Sequence, residues 1–320
     1  MIEVSNLVKV YGKNIALNDV SFTAGDREIL GFLGPNGAGK TTTMNIMTGY
    51  LSSDAGSVKI DGVDVSEKPG EAKRQIGFLP EIPPLYPDMT VSEYLYFVCE
   101  LKNCKYDKKA HVDEILKVCR LGDVKRRLIK NLSKGYKQRV GIAQALVGNP
   151  KVLIFDEPTV GLDPKQIIEV RNLIRTLGRD HTVILSTHIL SEAQAVCDRI
   201  VIINQGKILA DEKSESITRA VNENAKFMLK IIGSQRDVSS ALREVDGVLS
   251  VQVSGGSERD SFTYHVESEA GRDVRRDIFF KMAERGFPII ELTREGVSLE
   301  DVFIKLTDTQ SGSRKERRAK

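Results

Sequence analysis

Gly34-Pro35-Asn36-Gly37-Ala38-Gly39-Lys40-Thr41 is a complete GxxxxGK[ST] stretch, and its flanks decide the fold. Upstream, Arg27 to Leu33 offers Ile29, Leu30, Phe32 and Leu33 as a buried strand. Downstream, Thr42 to Leu51 carries Met44, Ile46, Met47 and Leu51 at helical spacing. Strand, loop, helix is the order that phosphate binding requires. Gly34, Gly37 and Gly39 leave no Cβ between backbone and ligand, so successive N–H groups converge on phosphate oxygens at the positive end of a helix. Lys40 then meets the terminal phosphates and Thr41 reaches Mg²⁺.

A second apolar run, Val152 to Phe155, ends in Asp156-Glu157-Pro158, and a third, Val183 to Leu185, ends in Ser186-Thr187-His188. With Ile200 to Ile203 these are short continuous runs separated by helix-like stretches, the pattern of parallel strands covered on both faces. Open α/β sheets bind ligands beyond the carboxyl ends of their strands. Asp156 is therefore placed to hold the Mg²⁺ shell opposite Thr41, and Glu157 to polarise a water for in-line attack on a γ-phosphate. His188 brings a neutral donor and acceptor to the same edge.

Residues 2–10 alternate, with Ile2, Val4, Val8 and Val10 predicted on one face. Ile15 to Phe22 and Ser57 to Val65 look similar, which predicts antiparallel strands beside the phosphate loop. Residues 88–148 show no convincing strand; Val91 to Cys99, Lys108 to Cys119 and Lys137 to Val147 have helical spacing, which predicts a helical insert. After residue 222 the order reads β-α-β-β-α-β over residues 227–292, the split βαβ arrangement of ferredoxin-like modules. Ser298 is expected to cap a last helix through Leu299, Val302, Phe303 and Leu306, with Asp301 near its N-terminus.

The chain has 320 residues, 41% hydrophobic and 28% charged, enough for one large domain and a small one. No aliphatic run approaches the ~18 residues of a membrane span, and neither a signal peptide nor a membrane anchor is expected. The four cysteines form no CxxC pair, so packing thiols are expected and a structural zinc site is not. The net charge of +3 is concentrated in Arg314 to Lys320, which carries +4 and leaves −1 elsewhere. The folded body is not basic, and no specific nucleic acid is expected as partner.

Over residues 2–220 the chain resembles the ATP-binding cassette (ABC) ATPases. Leu132-Ser133-Lys134-Gly135-Tyr136 looks like the family signature and Gly161-Leu162-Asp163-Pro164 like its D-loop. His188 matches the switch histidine, and Tyr11 the aromatic that stacks on adenine. The resemblance implies an α/β P-loop NTPase cassette spanning 1–222, with a mixed sheet core, an antiparallel β subdomain and a helical subdomain at 88–148. An α+β ferredoxin-like module at 226–309 and a basic tail at 310–320 would follow. It implies ATP held by Tyr11, Gly34, Pro35, Asn36, Gly37, Ala38, Gly39, Lys40, Thr41 and Thr42, with Glu157 and His188 catalytic. Mg²⁺ would rest on Thr41, Glu81 and Asp156. Ser133 and Gly135 would complete the site of a second copy in trans, beside Asp163 of the D-loop, so that ATP joins a head-to-tail dimer.

Two departures stand out. Glu81 occupies the Q-loop position where the family usually has Gln, and Lys134 and Tyr136 replace the usual Gly and Gln of the signature. Lys134 is expected to point to solvent. These variants and the Pro-rich Glu81 to Pro87 segment look like the ATPase subunits of ABC-2-type exporters, of the gliding-motility, multidrug and sodium-efflux types. That implies separate membrane permease subunits and a cytoplasmic location on the inner face of the membrane. Tyr86, Met89, Tyr94 and Tyr96 are either permease contacts or core of the insert. The alternative is a soluble ABC ATPase acting on ribosomes or nucleic acid, which the single phosphate loop and the lack of a sustained heptad disfavour.

Overall fold

The structure is a computed structural model, which describes residues 1–105, 107–221, 226–258, 260–269 and 271–294. The chain forms two compact units, Met1–Ser214 and Glu215–Lys320. The first unit opens with β1 (Ile2–Tyr11), β2 (Asn14–Ala24), β3 (Ile29–Leu33), α1 (Lys40–Met47), β4 (Ala55–Ile60) and β5 (Val63–Asp64). Then come α2 (Pro69–Arg74), β6 (Ile76–Leu79), α3 (Val91–Leu101), α4 (Lys108–Val118), α5 (Lys134–Leu146) and β7 (Val152–Phe155). It ends with α6 (Pro164–Leu177), β8 (Thr182–Thr187), α7 (Leu190–Val196), β9 (Arg199–Asn204) and β10 (Lys207–Lys213).

The central sheet runs β10-β9-β3-β8-β7-β6; β10 alone is antiparallel to its neighbour. Every residue of β3, β7 and β8 is buried, as continuous apolar runs covered on both faces require. A second, antiparallel sheet has the order β2-β1-β4-β5. Its inward residues Ile2, Leu7, Leu17 and Ile60 share one core with Phe32, Met44 and Met47, so the antiparallel sheet clamps the helix that follows the phosphate loop.

The expected alternation along β1 holds only to Val4. Asn6 takes a left-handed φ of 49°, and the register with β2 shifts between Val4 and Leu7. The bulge reverses the faces, burying Leu7 and Lys9 and leaving Val10 39% exposed. Lys9 is satisfied by Asp54, whose Oδ1 accepts from Nζ at 2.9 Å.

The insert is helical as expected. A capping box starts α3, with Thr90 Oγ1 accepting from Glu93 N and Glu93 Oε2 accepting from Thr90 N at 2.8 Å. Tyr94 is buried in the insert and donates to Pro84 O at 3.2 Å, whereas Tyr86 is half exposed and packs edge-on to Phe97. Tyr94 is thus part of the insert's own core. The thiols pack as expected: Cys99, Cys119 and Cys197 are buried, and burial pushes the Cys119 thiol up to about 12.

The second unit begins within α8 (Ser214–Val221). The second unit contains β11 (Lys226–Ile232), α9 (Gln235–Arg243), β12 (Val248–Glu258), β13 (Ser261–Ser268), α10 (Arg275–Glu284) and β14 (Ile289–Arg294). Its sheet has the all-antiparallel order β12-β13-β11-β14. Phe227, Leu229 and Ile231 pack on Val238 and Leu242 of α9 and on Ile278 and Met282 of α10. His265 is a strand residue paired with Ser254 Oγ at 2.7 Å. The helix expected from Ser298 to Leu306 and the basic tail lie outside the described residues.

Candidate active site

Because β3, β6, β7 and β8 run parallel, the segments leaving them emerge at one edge of the sheet. Two hydrogen bonds stitch those exits together: Gly34 N donates to Thr187 O at 3.2 Å and Asp156 N to Leu79 O at 2.8 Å. The phosphate loop, Glu81, Glu157 and His188 therefore face one cleft of about 790 Å³.

The loop is shaped by its glycines. Gly39 sits at φ +109° as N-cap of α1, a conformation that L side chains avoid, and a Cβ on Gly34 would lie 2.3 Å from Ile203 O. Lys40 is buried, and its Nζ donates to Gly34 O at 2.8 Å and lies 3.3 Å from Glu157 Oε1. Glu157 is itself buried, at a left-handed φ of 49°. His188 Nδ1 lies 3.0 Å from Glu157 Oε2, so the Nδ1 proton is donated to a carboxylate that can only accept. Glu157 thus holds the ammonium beside Oε1, while the imidazole bridges both oxygens, with Nδ1 3.1 Å from Oε1.

Asp156 is 1% exposed and lies behind the cleft wall, where Ser186 Oγ donates to its Oδ1. The same Oγ accepts from Glu157 N at 2.9 Å. Thr41 and Glu81 line the cleft in front. A threonine hydroxyl with carboxylate oxygens is a hard oxygen donor set, which suits Mg²⁺, an ion that keeps several waters and needs few protein ligands.

Of the other expected residues, Tyr11, Asn36, Gly37 and Thr42 line the cleft, with Tyr11 49% exposed at its rim. Gly34, Pro35 and Ala38 lie in the loop but do not line it. Ser133, Gly135 and Asp163 are elsewhere and near one another. Ser133 is exposed and accepts from Tyr136 N as N-cap of α5; Asp163 accepts from Gln166 N at 2.9 Å as N-cap of α6. A Cβ on Gly135 would lie 2.5 Å from Gln166 Cδ, so the two helix starts abut. Lys134 is exposed, as expected, and its Nζ lies over the equally exposed Gly161, where a Cβ would be 2.0 Å away.

This arrangement has known counterparts. The ABC transporter family model matches residues 17–160. The chain is 31% identical to the bacitracin transport ATP-binding protein BcrA of Bacillus licheniformis, over 96% of this chain and 97% of that one. The chain belongs to the ABC transporter ATP-binding subunits. It is also 32% identical to the linearmycin resistance ATP-binding protein LnrL of Bacillus subtilis (strain 168), over 96% of this chain and 98% of that one. Among solved structures, the dimeric bacterial ABC cassette MJ0796 superposes with a TM-score of 0.61 at 28% identity, covering 67% of this chain and 99% of that one. The protein is accordingly an ABC cassette that binds and hydrolyses ATP.

Asn14, Ala16, Val160 and Gln205 also line the ATPase cleft and were not singled out from sequence. Gln205 was within reach, since it follows β9, another parallel strand with its carboxyl end at the same edge. In the sequence Ser186 is marked only as a neighbour of His188, and nothing in its spacing says that its hydroxyl turns toward Asp156.

Proposed function

We propose that two copies of this chain close head to tail on ATP and drive export through separate membrane permease subunits on the inner face of the cell membrane. The observation that carries this reading is the division of the expected site. Tyr11, Lys40, Glu157 and His188 share one cleft, while the exposed Ser133 at the start of α5 lies outside it. A signature that does not line its own cleft is suited to complete another's.

In this mechanism Tyr11 stacks on the base, and the loop N–H groups and Lys40 bind the phosphates. Lys40 exchanges Glu157 for phosphate oxygens, which frees that carboxylate oxygen to accept a proton from water aligned with the γ-phosphorus. His188 Nδ1, which bridges both carboxylate oxygens, orients the group. Thr41 and Asp156 would hold Mg²⁺, with Glu81 on its water shell; when bound, the ion neutralises developing phosphate charge. Ser133 and the Gly135 backbone contact the γ-phosphate of the partner copy, so hydrolysis removes the contacts that join the dimer.

Export is supported by relatives named for bacitracin transport, linearmycin resistance and lantibiotic transport. Among the described residues no helix is long and apolar enough to cross a membrane, so the conduit is assigned to other chains. Purification of the tagged chain from membranes in mild detergent tests this. Co-isolation of a protein with about six apolar spans that changes the ATPase rate is expected; recovery with ribosomes or nucleic acid instead would overturn it.

A further inference from the structure

The hydroxyl of Ser186 is fully buried and stands between the two carboxylate residues of the site. Its donor capacity is one proton. Glu157 N–H donates to Oγ at 2.9 Å, so that proton is directed at Asp156 Oδ1. One side-chain atom therefore sets two things. It fixes the rotation of the Asp156 carboxylate, and it supplies the partner for the amide of Glu157, whose backbone stands at φ 49°. Glu157 has no backbone carbonyl in place of that partner, because the chain leaves β7 after Phe155 and no longer follows the β7–β8 ladder. A non-glycine residue persists in the left-handed region only where its surroundings over-determine it.

We infer that Ser186 is a positioning residue of the ATPase reaction, presetting Asp156 toward the metal and Glu157 toward water through a single bifurcating hydroxyl. The inference rests on the assignment of Mg²⁺ to Asp156. Partners of this kind behind a metal ligand typically contribute about 10- to 100-fold in metal affinity or rate.

The test compares Ser186→Ala, Ser186→Thr and Asp156→Asn in the full chain. Binding of a fluorescent ATP analogue is followed with EDTA and across a Mg²⁺ titration, beside kcat, KM and thermal midpoint. For Ser186→Ala the Mg²⁺ midpoint should rise and kcat fall, each by about tenfold, with EDTA binding and KM for ATP unchanged. Ser186→Thr, which keeps the Oγ, should restore both. If Asp156→Asn leaves the Mg²⁺ midpoint at its wild-type value, the metal assignment fails. If Asp156→Asn raises that midpoint and Ser186→Ala does not, only the role of Ser186 fails. Equal losses with and without Mg²⁺, or no rescue by Thr in a variant of wild-type thermal midpoint, would also overturn it.

Discussion

His188 Nδ1 and Glu157 Oε2 are 3.0 Å apart, and this contact joins the exits of two neighbouring parallel strands, β8 and β7. Nδ1 also lies 3.1 Å from Oε1, the oxygen that faces Lys40 at 3.3 Å, so the imidazole bridges and orients the whole carboxylate. His188→Ala should therefore lower kcat by about 10²-fold or more while leaving the Kd for ATP within about twofold, since the loss is of a general-base orientation. Stopped nucleotide binding in that variant, measured by equilibrium fluorescence, would argue instead for a binding role.

Tyr11 stands at the cleft rim with half of its surface exposed, and Lys9 Nζ lies 5.7 Å from its ring centroid. Stacking by a base on such a ring contributes about 1–3 kcal/mol, so Tyr11→Ala should weaken ATP binding by roughly 5- to 150-fold. Tyr11→Phe should bind as wild type. Equal affinity of the Ala variant for ATP, by calorimetry, would remove Tyr11 from the base site.

A Cβ on Gly34 would meet the backbone oxygen of Ile203 at 2.3 Å, and a strand carbonyl cannot swing away as a side chain would. Gly34→Ala should push the phosphate loop off β9, lowering the thermal midpoint and abolishing ATP-induced stabilisation together. Unchanged melting curves with and without ATP would contradict the close packing.

How much of this was legible in the sequence depends on the range of the forces involved. Buried parallel strands announce themselves by composition, so β3, β7 and β8, and with them Lys40, Asp156, Glu157 and His188, were readable at once. The face of Val10 was not, because the bulge at Asn6 rests on distant partners: Asn6 Nδ2 donates to Asp19 Oδ1, and Asn6 N to Ser21 Oγ, on β2. The approach of the Lys134 ammonium to Gly161 is likewise a contact across a separation no local pattern encodes. Asp163 and Ser133 were read as motif residues, and the structure adds that both cap helices, which ties each motif to a fixed helix start.

Glu28 accepts from Arg199 Nε at 2.7 Å and from Gly25 N at 2.6 Å. Burial pushes its carboxyl up, but the hydrogen bonds from Arg199 and Gly25 and the Arg199 charge outweigh it and hold the group below its ordinary 4.5. With the folded pKa below the unfolded one, its contribution is complete above about pH 4.5 and fades as pH falls through the folded value. The stability gap between wild type and Glu28→Gln, read from urea midpoints, should therefore close on acidification. A gap of constant size from neutral pH to pH 3 would contradict the pairing.

In the proposed dimer Glu157 is the base of an ATP site completed by a second copy. The most direct measurement is light scattering coupled to gel filtration of Glu157→Gln with ATP and Mg²⁺, alongside its hydrolysis rate. An ATP-bound dimer with turnover abolished is expected, with reversion to monomer when Ser133→Ala is added to the same chain. Hydrolysis at the wild-type rate, or a monomer that retains ATP, would contradict it.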